Sequence, residues 1–141
     1  MGKRILIVED DQDEIFFMLK NLNKLFHDLE VMILIAETFS VAEKAIKEKH
    51  FDLVSTDGQF PWTENGPPYD QAGLRFLHLL NEKNYAGPVI LYSGNEEVVE
   101  EASRVTVSGH PVFARIKSCK DYGVRISTRT WASKVHEFLV T

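Results

Sequence analysis

Phe51-Asp52-Leu53-Val54-Ser55-Thr56-Asp57-Gly58-Gln59-Phe60-Pro61 is the stretch that decides how the rest of the chain is read. A short run of strand-type residues around Leu53 and Val54 stops on a carboxylate, and Gly and then Pro follow it. Gly and Pro punctuate regular structure, so Asp57 is placed where a buried strand runs out into a loop. In an open α/β sheet the carboxyl edge of the strands is where ligands bind. The plain alternative is an Asp-Gly turn that merely closes a strand.

Working outward, Ile5-Leu6-Ile7-Val8 is fully apolar and reads as a central parallel strand, buried on both faces and ending at Glu9-Asp10-Asp11. A helical pattern follows, with Ile15, Leu19, Leu22 and Phe26 on one face and Asp11 or Asp13 as its cap. Val31 to Ala36 is a second strand. Ser40-Val41-Ala42-Glu43 has the form of a capping box and predicts a helix that turns Val41, Ala45 and Ile46 inward and ends near His50. Phe51 to Thr56 is the third strand, and Trp62 to Gln71, with Gly, two prolines and two aromatics, is a loop.

Beyond it, Gly73 to Glu82 carries Leu74, Leu77 and Leu80 at helical spacing, and Pro88 to Tyr92 is a fourth strand ending at Ser93-Gly94. Glu96 to Ala102 predicts a short acidic helix, with a poorly defined exit over Val105 to Gly109. Pro111 to Ile116 is a fifth strand ending at Lys117, and Thr130 to Leu139 a last helix with Trp131, Val135, Phe138 and Leu139 on one side. Strands alternating with helices imply an α/β fold: a doubly wound, five-stranded parallel sheet with helices on both faces. One domain over residues 1–141 accommodates it.

The net charge of −5 and the lack of any Lys/Arg cluster argue against direct DNA binding, which requires phosphate neutralisation. The single cysteine, Cys119, excludes an internal disulfide and fits a reducing compartment. Lys117 and Lys120 could activate its thiol, but a plain loop cysteine is the simpler reading. The apolar run after Lys3-Arg4 is too short for a signal peptide, and no stretch approaches the roughly 20 apolar residues of a membrane span. A soluble, cytoplasmic protein is expected. The five histidines lack metal-ligand spacing, Ser93 lacks a nucleophile elbow, and the glutamates from Glu96 to Glu101 read as a solvated helix face.

Four strand ends carry polar groups: Glu9-Asp10, Asp57, Ser93 and Lys117. A parallel sheet brings all of them to one edge. Crowded carboxylates repel one another, and a hard divalent cation such as Mg²⁺ relieves that repulsion through oxygen ligands. A Lys and a hydroxyl facing the same point would hold the oxygens of a phosphoryl group, and a central carboxylate could accept it as an aspartyl-phosphate. No Gly-rich phosphate loop is present.

With these motifs in order, the chain resembles the response-regulator receiver domains of two-component signalling, of flavodoxin-like (CheY-like) fold, from Lys3 to about Leu139. The resemblance implies that Asp57 is the phosphoacceptor. It implies that Asp10 ligates Mg²⁺ directly, that Glu9 acts mostly through water, and that the backbone carbonyl of Gln59 is a further ligand. Ser93 would be the hydroxyl that reorients on phosphorylation and Lys117 the phosphate-binding lysine, while Gln59 and Asn95 would tune the lifetime of the phosphoaspartate.

Three departures stand out. The loop between Pro61 and Gly73 is several residues longer than the family's, so Trp62 and Tyr69 could form a partner surface, form a lid over Asp57, or fold back on the domain. Lys117 precedes Ser118 where the family has Pro after a cis peptide. The family's aromatic switch position holds Ala114, and neighbouring Phe113 belongs to the opposite strand face.

The resulting expectation is a stand-alone receiver that takes a phosphoryl group from the phosphohistidine of a histidine kinase or phosphotransfer protein. It would act without being an enzyme and signal to a downstream protein by contact. The last helix is followed only by Thr141, so no output domain is expected. The competing expectations are a pseudo-receiver whose binding ignores phosphorylation, and a phosphatase, which would need an acid at Gln59.

Overall fold

The computed structural model describes residues 2–27, 30–117 and 121–140, with side chains in the last segment from 128 onward. In chain order the elements are β1 (Lys3–Val8), α1 (Gln12–Leu25), β2 (Val31–Ala36), α2 (Phe39–Glu48), β3 (Leu53–Thr56), β4 (Phe60–Pro61) and β5 (Pro68–Tyr69). They continue with α3 (Ala72–Glu82), β6 (Val89–Ser93), α4 (Glu96–Ala102), β7 (Thr106–Val107), β8 (His110–Pro111), β9 (Phe113–Ile116) and α5 (Asp121–Val140).

The central sheet has five strands in the order β2-β1-β3-β6-β9, and every pairing in it is parallel. This is the flavodoxin-like arrangement of CheY-type domains. Alternate residues of each strand serve opposite faces. Leu6, Val8, Val54, Val89, Leu91 and Ala114 meet α2, α3 and α4, whereas Ile5, Ile7, Leu53, Ile90 and Tyr92 meet α1 and α5. Ile5 to Val8 are at most 1% exposed, which is why that run carries no polar alternation. One buried hydrogen bond fastens α5 to the sheet, from Trp131 Nε1 to Ser55 Oγ at 2.7 Å.

Helix details depart from the expected pattern in the first two helices and the last. Asp11 caps α1 as expected, accepting from the Asp13 and Glu14 amides, but the buried stripe runs through Ile15, Met18 and Leu22, with Leu19 half-buried. The second helix begins earlier than a capping box at Ser40 would place it. Thr38 is its N-cap, accepting from the Val41 amide, so Phe39, Ala42 and Ala45 face inward and Val41 is exposed. Ser40 instead anchors the neighbouring loop, its amide and hydroxyl both donating to the Trp62 carbonyl, at 3.0 and 2.9 Å.

The long loop after β3 is not structureless. β4 and β5 form a small antiparallel ribbon, closed through Asn65 in the left-handed region. Trp62 folds back onto the domain. It stacks face to face on Phe39 at 4.0 Å, Tyr69 meets its edge at 5.6 Å, and Phe76 of α3 meets Phe39 edge-on. A second ribbon, β7-β8, occupies the exit from α4, with Ser108 and Gly109 at positive φ in its turn. The last helix starts at Asp121, well before Thr130.

Candidate phosphoacceptor site

Parallel strands all end at the same edge, and there β1, β3, β6 and β9 deliver the residues singled out in the sequence. Asp57 follows β3 directly, its amide held by the Val8 carbonyl at 2.8 Å. Its carboxylate accepts from the Gly58 amide at 2.7 Å. Gly58 and Gly73 make this approach possible. Their backbones join through Gly73 N to Gly58 O at 2.9 Å, and a Cβ on Gly73 would meet the Asp57 carbonyl at 2.5 Å. A Cβ on Gly58 would meet Ser93 Oγ at 2.6 Å. Glycine is therefore required at both points for α3 and β6 to close around Asp57.

Lys117 enters from the end of β9, positioned by its amide bond to the Ser93 carbonyl at 2.9 Å. Its ammonium lies 3.1 Å from Asp57 Oδ1, 3.1 Å from Glu9 Oε1 and 2.8 Å from Glu14 Oε2. Glu9 is buried, and its other oxygen accepts from the Asp10 and Asp11 amides at 3.1 and 3.2 Å. Glu9, Asp10 and Asp57 each place a carboxylate oxygen within 4.8 Å of the others. A cavity of about 680 Å³, lined by these three with Gln59, Asn95 and Lys117 among others, opens above them.

This donor set suits a hard divalent cation. It is all oxygen, carries an excess of negative charge, and faces a cavity with room for water or phosphate oxygens. Electrostatics points the same way. Burial, then the charge of Asp57, pushes the Glu9 carboxyl well above the ordinary carboxylate value, against the pull of Lys117. Burial and Asp57 likewise raise Asp10. Burial raises Asp57 too, even though Lys117 beside it works to lower it. Burial would lower Lys117, but Glu9, Asp57 and Glu14 more than offset this and hold it above the usual lysine value. The cluster is thus short of positive charge.

Of the residues marked in the sequence, Glu9, Asp10, Asp57, Gln59 and Lys117 all reach this cavity. The Gln59 side chain turns aside, donating to Asp70 Oδ1 at 3.2 Å. Ser93 sits just behind the wall, buried against Gly58, and its hydroxyl accepts from the Asn95 amide at 3.2 Å. Asn95 caps α4 through its side chain. Ala114 and Phe113 do fall on opposite faces, with Phe113 against Phe138 and under the Arg115 guanidinium. The Lys117–Ser118 peptide and Cys119 lie outside the described residues.

Sequence reasoning missed Glu14. In Asp11-Gln12-Asp13-Glu14 it occupies the place of a capping-box acid and reads as local helix chemistry. Instead it is 5% exposed and turned to Lys117, more than 100 positions away in the chain. No local pattern signals this, because the contact depends on Lys117 arriving from the end of β9.

No protein-family model matches the sequence, and no curated protein matches it. Solved structures do. The chain is similar to a CheY-like response regulator receiver domain protein from Methanospirillum hungatei at 21% identity and TM-score 0.61, covering 97% of this chain and 93% of that one. It is similar to the Mn²⁺-bound response regulator Rcp1 at 17% identity and TM-score 0.67, covering 99% and 98%. Response regulator TrrA of Thermotoga maritima, in complex with Mg²⁺ and BeF, is matched at 20% identity and TM-score 0.66, covering 97% and 99%. The chain has the response-regulator receiver fold over nearly its whole length. Among the described residues no helix is long and apolar enough to cross a membrane.

Proposed function

We propose that this protein is a phosphoacceptor receiver that takes a phosphoryl group onto Asp57 and passes the signal on by protein contact. The observation that carries this reading is the convergence of a buried carboxylate, its ammonium partner and two further carboxylates at one sheet edge. In the reaction an Asp57 carboxylate oxygen attacks phosphorus, the P–N bond of a phosphohistidine breaks, and the imidazole departs, leaving an acyl phosphate. Lys117 neutralises charge on the transferred oxygens, and the Gly58 amide keeps the Asp57 carboxylate oriented.

Glu9, Asp10 and Asp57, with the Gln59 carbonyl, would hold Mg²⁺, which when bound would supply positive charge to the phosphoryl oxygens. The donor would be a histidine kinase or phosphotransfer protein in the cytoplasm, and the receiver itself would turn over no other substrate. Ser93, one layer behind Asp57, would relay the change to α4 through Asn95.

The test is incubation with phosphoramidate, a small P–N phosphodonor, and Mg²⁺. The reading expects a covalent phosphate that is released by hydroxylamine, as acyl phosphates are. A hydroxylamine-stable phosphate, or none, would count against it.

A second reading is a protein-interaction module indifferent to phosphorylation. Ala114 favours it, because no aromatic side chain stands at that position to follow the movement of Ser93. Partner capture that is equal for phosphorylated protein and Asp57→Ala would support it.

A further inference from the structure

Three carboxylates share the single positive charge of Lys117, and two of them, Glu9 and Glu14, accept its N–H groups. Of the three, Glu9 and Asp57 belong to the set of oxygens that converge with Asp10. The third, Glu14, makes the shortest contact; it lines the same cavity but is not one of the three converging groups. It belongs to the first turn of α1, is buried, and among the described residues forms its one ion pair with Lys117.

We propose that Glu14 is a positioning residue that acts through Lys117, keeping one N–H of the ammonium and part of its charge away from Asp57. The inference rests on the receiver reading above. A cation seated among Glu9, Asp10 and Asp57 would neutralise those carboxylates but not Glu14. A buried carboxylate stripped of its counter-charge is heavily penalised, so Lys117 leaves Glu14 last. What remains for a phosphoryl group is the N–H now donated to Glu9 and the charge that faces Asp57 across the ion pair. Glu14 therefore shifts the balance of the site: it favours a divalent cation and disfavours an anion, relative to the same site without it.

The two effects have opposite signs, and a loosened fold would not produce that split. The experiment measures Mg²⁺ binding by calorimetry, then fluoroberyllate binding at saturating Mg²⁺, for the wild type, Glu14→Gln and Asp13→Asn. Gln keeps an oxygen that accepts from Lys117 but removes the charge. Asp13 is an exposed acid on the same helix turn. In Glu14→Gln, Mg²⁺ should bind about threefold more weakly and fluoroberyllate about tenfold more tightly, the expected sense when one nearby negative charge is removed. Asp13→Asn should change either by less than about twofold, because exposed charges are screened. If Glu14→Gln weakens both ligands, leaves both unchanged, or is matched by Asp13→Asn, the inference is overturned. If the wild type with Mg²⁺ binds no fluoroberyllate, the receiver reading itself fails.

Discussion

Lys117 Nζ stands 3.1 Å from Asp57 Oδ1, and both side chains are nine-tenths covered. A pair so enclosed is not a surface ion pair of negligible consequence. Removing one partner leaves the other charge buried and uncompensated, which typically costs about 3–5 kcal/mol. Lys117→Ala is therefore expected to lose about that much stability at neutral pH, read by urea denaturation, with much of the loss recovered in acid as the carboxylates take up protons. A variant as stable as the wild type at neutral pH would show that the ammonium does not balance this cluster.

The same charge shortage makes the domain's stability depend on pH and on metal. The folded-state pKa values of Glu9, Asp10 and Asp57 are raised, so the fold binds protons more readily than the unfolded chain does. These groups cost nothing below the ordinary carboxylate range, and their penalty grows as pH rises from there through the folded values. Lys117 is also raised, and its favourable contribution is intact up to the ordinary lysine value of 10.5. Mg²⁺ should thus raise Tm at pH 7.5, by about 5–10 °C at a hundredfold excess over Kd. The increment should shrink toward pH 5. Scanning calorimetry at the two pH values checks it, and an increment that is equal at both would contradict the assignment of these carboxylates.

Gly73 has no room for a side chain, since a Cβ there would press on the Asp57 carbonyl at 2.5 Å and on the Gly58 Cα at 2.6 Å. Backbone cannot yield as a flexible side chain does. Gly73→Ala should cost about 1–3 kcal/mol of stability and weaken Mg²⁺ binding as well, because the strain falls on the loop that presents Asp57. Denaturation and calorimetry on one sample test both effects.

The Trp62–Phe39 stack braces the ribbon without reaching the acidic cavity, whose lining does not include Trp62. Trp62→Ala should reduce stability by about 1–2 kcal/mol, the stacked pair supplying about 0.5–1.5 of that, and leave Mg²⁺ affinity unchanged. Loss of Mg²⁺ affinity would instead make the ribbon part of the site.

How far the sequence could be read follows from what each residue depends on. The five main strands were legible because their apolar runs end in acids, in Gly or, for the fifth, in Lys117. The edge that collects Glu9, Asp10, Asp57 and Lys117 followed from parallel topology alone. The start of α2 was not legible, since Thr38 and Ser40 are both competent caps. The choice rests on Phe39 finding Trp62 and Phe76 and on Ser40 binding the Trp62 carbonyl, all contacts distant in sequence. The two-residue ribbons are too short to carry any alternation. Glu14 was hidden for a similar reason: its partner comes from the far end of the chain.

Everything proposed for this protein turns on Asp57 accepting a phosphoryl group in a site completed by divalent metal. Intact mass after incubation with acetyl phosphate, with and without Mg²⁺ and beside Asp57→Ala, decides it. The wild type should gain one phosphoryl group, only when Mg²⁺ is present, and the variant should gain none. No gain by a folded wild-type protein, or an equal gain by Asp57→Ala, would contradict the assignment.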